Sequence, residues 1–265
     1  MAGNTPCSLL NAQLPLAGSA PTSESWLIVV HQGAWGERPL DTLISRDLQL
    51  WANDHGAQIL LGRTPKDIDP YPNSTFLYSD GRGDLLQGEL DSVGLPDLTH
   101  AQRSIPMLLI CTNGKRDQCC ATFGRSLITQ CKEVLSPNLY GQILECSHLG
   151  GHRFAPTAIW LPENLVLGRL EIDAVSDLLE NGVIDSRFIR GNTKLSPAQQ
   201  VVHASLWPQK IEFQSCEQHG TTFHITALVD NISETYSVQA TSGDIVASCG
   251  GDPKPNTWYH MPVGI

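Results

Sequence analysis

The chain has little charge, few aromatic residues and no long apolar run. Only 17% of its 265 residues are charged and 6% are aromatic. No stretch approaches the roughly 20 consecutive apolar residues that a membrane-spanning helix needs. Acidic residues outnumber basic ones by 27 to 17, which leaves little material for the basic face that nucleic acids and anionic membranes require. We therefore expect neither a nucleic-acid partner nor a membrane partner.

The chain also lacks a C-x-x-C motif and a leader-like start. Its first residues, MAGNTPCSLLNAQLPLAG, contain no basic cluster and no long apolar run, so we expect no targeting segment and a cytoplasmic location. Thiols stay reduced in that compartment. What the chain does have is eight cysteines, three of them in CTNGKRDQCC at 111–120. Clustered cysteines in the cytoplasm indicate metal or redox chemistry rather than disulfides.

The middle of the chain has an α/β pattern. The apolar run at 107–110 predicts a buried strand, and apolar residues at helical spacing predict a helix over 121–135. The segments that follow are predicted as a strand at 141–146, a hairpin at 157–160 and 165–170, and a helix at 174–181. Strand, helix, strand, hairpin and helix is the order of a thioredoxin-like layout.

The first hundred residues repeat this order. WLIVV at 26–30 corresponds to MLLI at 107–110, and the tripeptide QIL occurs both at 58–60 and at 142–144. The remaining segments are predicted as a helix at 40–52 and strands at 75–78 and 85–90. We interpret the repeat as two similar halves packed together. The first half has no cysteine at the position of CTNGKRDQCC, so we infer that it carries no site.

The pattern changes again from Gly191. A Ser196 cap with Pro197 at the first helical position predicts a helix over 196–207. Strands are predicted at 210–214, 222–228, 235–240 and 245–249, with a loop over CGGDPKPN at 249–256. The sequence thus predicts an α/β fold of two thioredoxin-like halves with a small C-terminal α+β extension. The predicted domains are an N-terminal half without ligands at 1–100, a site-bearing half at 101–190 and the extension at 191–265.

Two cysteines and two histidines are placed to form one site. Cys111 follows a predicted strand, Cys120 lies where the next helix begins, and His148 and His152 follow the next strand. A helix start offers backbone N–H groups that stabilise thiolates and anionic cofactors. Loops at the ends of two parallel strands lie side by side, so the four side chains can converge. Such a set accepts a zinc ion or a [2Fe–2S] cluster, and the long cysteine spacing favours the cluster.

The other cysteines carry less signal. Cys131 lies on the apolar face of its helix and Cys146 ends a strand, so we interpret both as core residues. Cys7, Cys216 and Cys249 stand apart in the sequence. Cys119 is either a neighbour that does not bind the metal or a redox-active thiol, and this question stays open at the level of the sequence.

Both site motifs also resemble a known family. CTNGKRDQCC and SHLGGHRFAPTAIWLPENLVLGRL are similar to segments of the sucrase/ferredoxin-like family of thioredoxin-like ferredoxins. PLAGSAP with WLIVVHQGAWG, and FIRGNTKLSPAQQVVHASLW, extend the resemblance over roughly residues 6–210. The resemblance implies a [2Fe–2S] cluster on the second half. Matched through Arg116-Asp117, it implies the ligands Cys111, Cys120, His148 and His152.

This ligand set implies a function. Two thiolates with two neutral imidazoles leave less negative charge than four thiolates. The potential therefore rises, as in Rieske centres at about −150 to +300 mV against about −400 mV for all-cysteine plant types. Each imidazole has a second nitrogen that can lose a proton. The resemblance thus implies a proton-coupled one-electron carrier, rather than a stand-alone enzyme, that serves an unidentified redox partner. The alternatives are a thiol-redox protein using Cys119/Cys120 and a zinc-stabilised binding module. No paired carboxylates support sugar hydrolysis.

Overall fold

The computed structural model of the protein describes residues 5–262. Residues 1–4 and 263–265, the outer ends of the first and third predicted domains, lie outside the described residues. Within the described range, none of the helices has the length and apolar character needed to cross a membrane.

The first half forms a mixed four-stranded unit with a short added strand. Its elements in chain order are α1 (Cys7–Leu10), β1 (Ser25–Val30), α2 (Leu40–Leu43), α3 (Arg46–Asp54), β2 (Ala57–Arg63), β3 (Thr75–Ser79), β4 (Leu85–Glu89) and β5 (Gln102–Arg103). β1 runs parallel to β2 and antiparallel to β3, which pairs with β4. The order β2-β1-β3-β4 is that of a thioredoxin-like sheet.

One predicted helix of this half is two helices. The sequence predicts a single helix over 40–52, but α2 ends at Leu43 and α3 begins at Arg46. Ser45 between them has an extended backbone, and its hydroxyl accepts a hydrogen bond from the backbone N–H of Leu48 at 3.1 Å. A serine that satisfies a free N–H in this way starts a new helix, so the prediction of one continuous helix is wrong.

The second half repeats the arrangement of the first. Its elements are β6 (Met107–Cys111), a π-helical segment (Cys120–Gly124), α4 (Arg125–Val134), α5 (Pro137–Tyr140), β7 (Ile143–Cys146), a 3₁₀ turn (His152–Phe154), β8 (Ala158–Leu161), β9 (Leu165–Leu167), α6 (Ile172–Asn181) and β10 (Ile189–Asn192). β6 is parallel to β7 and antiparallel to β8, and β8 pairs with β9. This order confirms the predicted fold class of two thioredoxin-like halves.

The two halves share one ten-stranded sheet, in the order β10-β9-β8-β6-β7-β2-β1-β3-β4-β5. They meet where β2 and β7 pair antiparallel, through Gly62 with Cys146 and Arg63 with Glu145. The guanidinium of Arg63 also lies 2.6 Å from the carboxylate of Glu145. The loop after β7, which carries His148 and His152, therefore starts at the junction of the halves.

Alternate residues of the central strands enter different parts of the core, as the period of two in a strand requires. Leu27 packs with the apolar face of α3, and Leu108 packs with that of α4 and α6. Ile28, Leu109 and Leu144 meet in a cluster to which both halves contribute. This shared core joins the halves on one face of the sheet.

The C-terminal extension is a helix packed on a second sheet. It contains α7 (Pro197–Leu206), β11 (Ile211–His219), β12 (Thr222–Val229), β13 (Ile232–Ile245) and β14 (Lys254–His260), and neighbouring strands are antiparallel. Ser196 and Gln199 form a reciprocal cap at the start of α7, with Pro197 in the first turn. Val202 on α7 packs against Ile225 of the sheet. This part is the α+β extension that the sequence predicts.

The predicted end of the extension needs a correction. No strand spans 245–249: β13 continues to Ile245, which pairs with Lys254 at the start of β14. The predicted loop over 249–256 is therefore misplaced: the loop in the structure begins after Ile245 and ends before Lys254. Pairing along a partner strand carries β13 through Gly243, a residue that local propensity treats as a strand end. The division of the chain at residues 100 and 190 stays a prediction.

Candidate metal centre

The four predicted site residues lie on three adjoining segments. Cys111 is the last residue of β6, Cys120 starts the π-helical segment, and His152 begins the 3₁₀ turn after β7. Both cysteines are 1% exposed and His152 is 8% exposed, whereas His148 is half-buried. The fold thus places all four at the carboxyl ends of the parallel strands β6 and β7.

Three of the four residues form a compact group of metal-binding atoms. The sulfur atoms of Cys111 and Cys120 lie 3.3 Å apart. A ring nitrogen of His148 joins them, with all three ligand atoms within 4.8 Å of one another. His152 lies outside this group of three, but its ring centroid is 5.0 Å from that of His148. The second histidine is therefore next to the group without belonging to it.

Both histidines present a buried nitrogen that has no hydrogen-bond partner. These atoms are Nδ1 of His148 and Nδ1 of His152. Nε2 of His152 is engaged, because it lies 3.0 Å from Oγ of Ser248 and 3.5 Å from a carboxylate oxygen of Asp117. Buried polar atoms in folded proteins nearly always have a partner. Two buried imidazole nitrogens without a partner, beside two thiols, offer the mixed donor set that a metal group can bind, so the residues fit such a group.

Glycine makes this packing possible at the π-helical segment. A Cβ atom on Gly124 would overlap the carbonyl oxygen of Cys111, a backbone atom that cannot turn away. Without a side chain, Gly124 lets the segment lie directly against the end of β6. Cys120, four residues earlier, is thereby brought to Cys111. A π-helical turn is also a common local feature of functional sites.

The two thiols do not share charge equally. Contact with Cys120 lowers the pKa of Cys111, and the nearby His148 lowers it further, although burial opposes both effects. The pKa of Cys120 is raised, first by its contact with Cys111 and then by burial. Without a cation, a second thiolate in this pair is therefore disfavoured. A metal ion is needed to make both sulfurs thiolates.

A buried arginine supplies positive charge beside the thiols. Arg190 is 2% exposed and donates hydrogen bonds to the carbonyl oxygen of Gly150 at 2.9 Å and to the hydroxyl of Ser19 at 3.1 Å. Burial lowers its pKa to about 9, whereas the charges of Cys111 and Cys120 raise it. Within residues 5–262, no carboxylate lies within salt-bridge distance of it. The two thiols are the groups whose negative charge raises its pKa, whereas the neighbouring Arg153 lowers it.

Five of the remaining six cysteines are either core residues or members of a group that the sequence did not reveal, and the sixth, Cys216, is exposed on β11. Cys131 and Cys146 are fully buried in apolar clusters, which confirms their interpretation as core. Cys119 does not pair with Cys120. Its sulfur lies 3.5 Å from that of Cys7 and 3.2 Å from that of Cys249. More than 100 residues separate Cys119 from each of these partners, and no local pattern links residues so far apart.

Comparison with known proteins gives one family and one distant structure. The chain matches the model of a family described as Sucrase/ferredoxin-like over residues 16–195. Among solved structures it is similar to a thioredoxin-like [2Fe-2S] ferredoxin from Aquifex aeolicus. That likeness has 14% identity and a TM-score of 0.29, and it covers 35% of this chain and 96% of the other. None of the curated proteins matches the chain. The structural likeness is too weak to support an argument, and the family match covers more than half of the chain.

Proposed function

The chain belongs to the sucrase/ferredoxin-like family, and from this premise we propose that it is a one-electron carrier that holds a [2Fe–2S] cluster. The proposed ligands are Cys111, Cys120, His148 and His152. One observation carries the proposal: two buried thiols 3.3 Å apart lie beside two histidines whose buried Nδ1 atoms have no partner. When bound, the cluster would supply the one-electron redox chemistry.

The two cysteines hold the negative charge of the site. Their backbone positions, at the end of a strand and the start of a helical segment, are separated by the loop that contains Arg116 and Asp117. Each thiol loses its proton when it binds metal. The guanidinium of Arg190 lies where it offsets part of the resulting charge. The chain would therefore provide two anionic ligands, with the positive charge of Arg190 acting on both.

The two histidines supply neutral ligands and a place for a proton. With Nδ1 as the ligand atom, Nε2 of each ring is left to hold or release a proton. Nε2 of His152 is in contact with the hydroxyl of Ser248 and the carboxylate of Asp117. Both oxygens can accept a hydrogen bond from the ring, and the carboxylate can also accept a proton. This arrangement supports proton movement at His152 coupled to electron transfer.

The position of Cys119 bears on the thiol-redox alternative. Its sulfur faces Cys7 and Cys249, while that of Cys120 faces Cys111. A redox reaction between Cys119 and Cys120 would have to break both sets of contacts. We propose a cytoplasmic setting, consistent with all eight cysteines, which lie within the described residues, being free thiols. The partners would be a donor and an acceptor of single electrons.

Anaerobic purification of the full chain tests the proposal. We expect a brown protein with about two iron and two acid-labile sulfide per chain and an EPR signal on reduction. Cys120→Ser should lose the iron. Cys216→Ser, which changes an exposed cysteine of β11, should keep it and serves as the matched control. A colourless protein whose zinc disappears in Cys120→Ser would favour the zinc-stabilised module instead.

Replacing the histidines tests the ligand set. His148→Cys and His152→Cys should each lower the reduction potential, because a thiolate adds negative charge where a neutral imidazole stood. The dependence of the potential on pH should weaken as well, since a titratable ring is lost. Redox titrations followed by EPR at several pH values measure both effects. Unchanged potential and slope in both variants would show that the histidines are not ligands.

A further inference from the structure

A second group of thiols, from Cys7, Cys119 and Cys249, lies next to the first site. Cys7 comes from α1, Cys119 precedes the π-helical segment, and Cys249 lies in the loop after β13. Their sulfur atoms and a carboxylate oxygen of Asp117 all lie within 4.8 Å of one another. Cys7 and Cys119 are fully buried and Asp117 is 5% exposed. Three remote parts of the chain thus bring four potential ligand atoms to one point.

The spacing of these atoms suits a single metal ion. The sulfurs of Cys7 and Cys119 are 3.5 Å apart and those of Cys119 and Cys249 are 3.2 Å apart. A disulfide needs about 2.05 Å. Tetrahedral zinc with Zn–S bonds of about 2.3 Å separates its sulfurs by about 3.8 Å. Small movements would therefore seat one ion.

Backbone amides already hold these groups in place. The carboxylate of Asp117 accepts hydrogen bonds from the backbone N–H of Cys119 at 2.8 Å and of Cys249 at 3.0 Å. The N–H of Cys7 donates to the sulfur of Cys249 at 3.4 Å. Hydrogen bonds from backbone N–H groups to sulfur and carboxylate favour their charged forms. These contacts hold Asp117, Cys119 and Cys249 around a common centre, where the thiols would lose their protons on binding a metal ion.

We propose that Cys7, Cys119, Cys249 and Asp117 bind one Zn²⁺ ion in a closed structural site. Three thiolates and one carboxylate are a ligand set that zinc accepts in tetrahedral geometry. Binding releases the three thiol protons and involves no change of oxidation state. The ion would tie the N-terminal helix α1 and the loop after β13 to the segment that carries Cys120.

The zinc site would also fix the loop after β13, which contacts the proposed electron-transfer site. Ser248, next to Cys249, has its hydroxyl 3.0 Å from Nε2 of His152. Asp117 contacts the thiol of Cys7 as well as the ring of His152. The loop that the zinc holds therefore places a hydrogen-bond partner on one of the proposed ligands. The two sites are separate in their ligands and adjacent in space.

Metal analysis of the full chain, purified anaerobically with added zinc chloride, tests this proposal. We expect about one zinc per chain, and zinc-edge X-ray absorption dominated by sulfur at about 2.3 Å. Cys249→Ser and Cys7→Ser should lose most of the zinc while the iron and sulfide contents stay unchanged. Cys216→Ser is the matched control and should keep the zinc. Circular dichroism checks that each variant is folded.

A second measurement covers variants that fail to fold. In the wild-type chain, removal of zinc by a chelator should expose Cys7, Cys119 and Cys249 to alkylation, as read by mass spectrometry, and added zinc should protect them. Zinc that survives Cys249→Ser but is lost in Cys120→Ser would overturn the proposal. So would iron in place of zinc, or a zinc-free disulfide between two of the three cysteines. Zinc lost in Cys249→Ser from a chain without iron would uphold it and refute only the [2Fe–2S] function.

Discussion

Arg190 shows how a single residue links the fold to the site. A buried guanidinium is costly unless its charge and donors are compensated. Its donors reach carbonyl and hydroxyl groups, including the carbonyl of Gly150 in the histidine loop. Its charge interacts with those of two thiols, Cys111 at the end of β6 and Cys120 at the start of the π-helical segment. Arg190 therefore acts as a positioning residue that fixes the loop and offsets the charge of the proposed ligands.

Replacement of Arg190 should change both stability and potential. Arg190→Met leaves the carbonyl of Gly150 and the thiolates uncompensated, so we expect a loss of about 3 kcal/mol in the free energy of unfolding. The reduction potential should also fall, by on the order of tens of millivolts, because a nearby positive charge favours the reduced state. Arg190→Lys keeps the charge and should keep most of the potential. Urea unfolding and redox titration measure the two effects, and an equal fall in both variants would contradict the charge argument.

At the scale of secondary structure, the π-helical segment decides where Cys120 lies. The helical periodicity of 121–135 predicts a helix, and the structure has one, but its first turn is wider than an α-helix. The close approach of Gly124 to β6 accompanies this change. Helical wheels do not show it, because the constraint comes from the carbonyl of Cys111 on another element. The local pattern thus predicts the helix, whereas packing against β6 determines the π-helical geometry of its first turn.

Gly124→Ala should therefore disrupt the site. The added methyl group meets the backbone of Cys111, and overpacking of this kind costs about 1–3 kcal/mol. We also expect the iron content of the purified protein to fall, since Cys120 is displaced. Gly36→Ala is the matched control, because no atom lies within 4 Å of its Cβ and it should change stability by less than about 0.5 kcal/mol. If Gly124→Ala retains full iron and stability, the packing argument fails.

At the scale of the molecule, the two halves are joined by both a strand pair and a common core. The pairing of β2 with β7 joins the strands of the two halves into one sheet, and Ile28 of the first half lies in one cluster with Leu109 and Leu144 of the second. An interface of this kind couples the stability of its two sides. The second half therefore depends on its neighbour for stability, although the first half holds none of the proposed cluster ligands.

This coupling predicts that a destabilising substitution in one half also destabilises the other half. Ile28→Ala should cost about 2–5 kcal/mol and should increase hydrogen exchange in β6 and β8 as much as in β1. Hydrogen-exchange mass spectrometry makes this comparison. Leu50→Ala, at an exposed position of α3, is the control and should leave exchange in both halves nearly unchanged. A loss of protection confined to β1 and β2 would mean that the halves open independently.

Local patterns predicted much of the fold because each pattern depends on neighbouring residues. The repeat, most of the strands and the cap of α7 followed from periodicity and from Ser196-Pro197. The break at Ser45 and the observed length of β13 did not follow from them. The helix cap at Ser45 and the strand pairing of β13 depend on hydrogen-bond partners, which local propensity does not include. Strand order led us to expect that Cys111, Cys120, His148 and His152 converge. The structure brings the first three into one group and leaves His152 beside it.

The sequence by itself determined two similar α/β halves, the extension and the motifs that carry the proposed ligands. Only the tertiary structure decided that Cys7, Cys119 and Cys249 meet, and that Arg190 lies buried beside the thiols. Residues close in the chain constrain one another through backbone geometry and periodicity, so a local pattern predicts their structure. Residues more than 100 positions apart come together only because burying a common core fixes where every segment ends. The second thiol group and its separation from the first are therefore products of the fold.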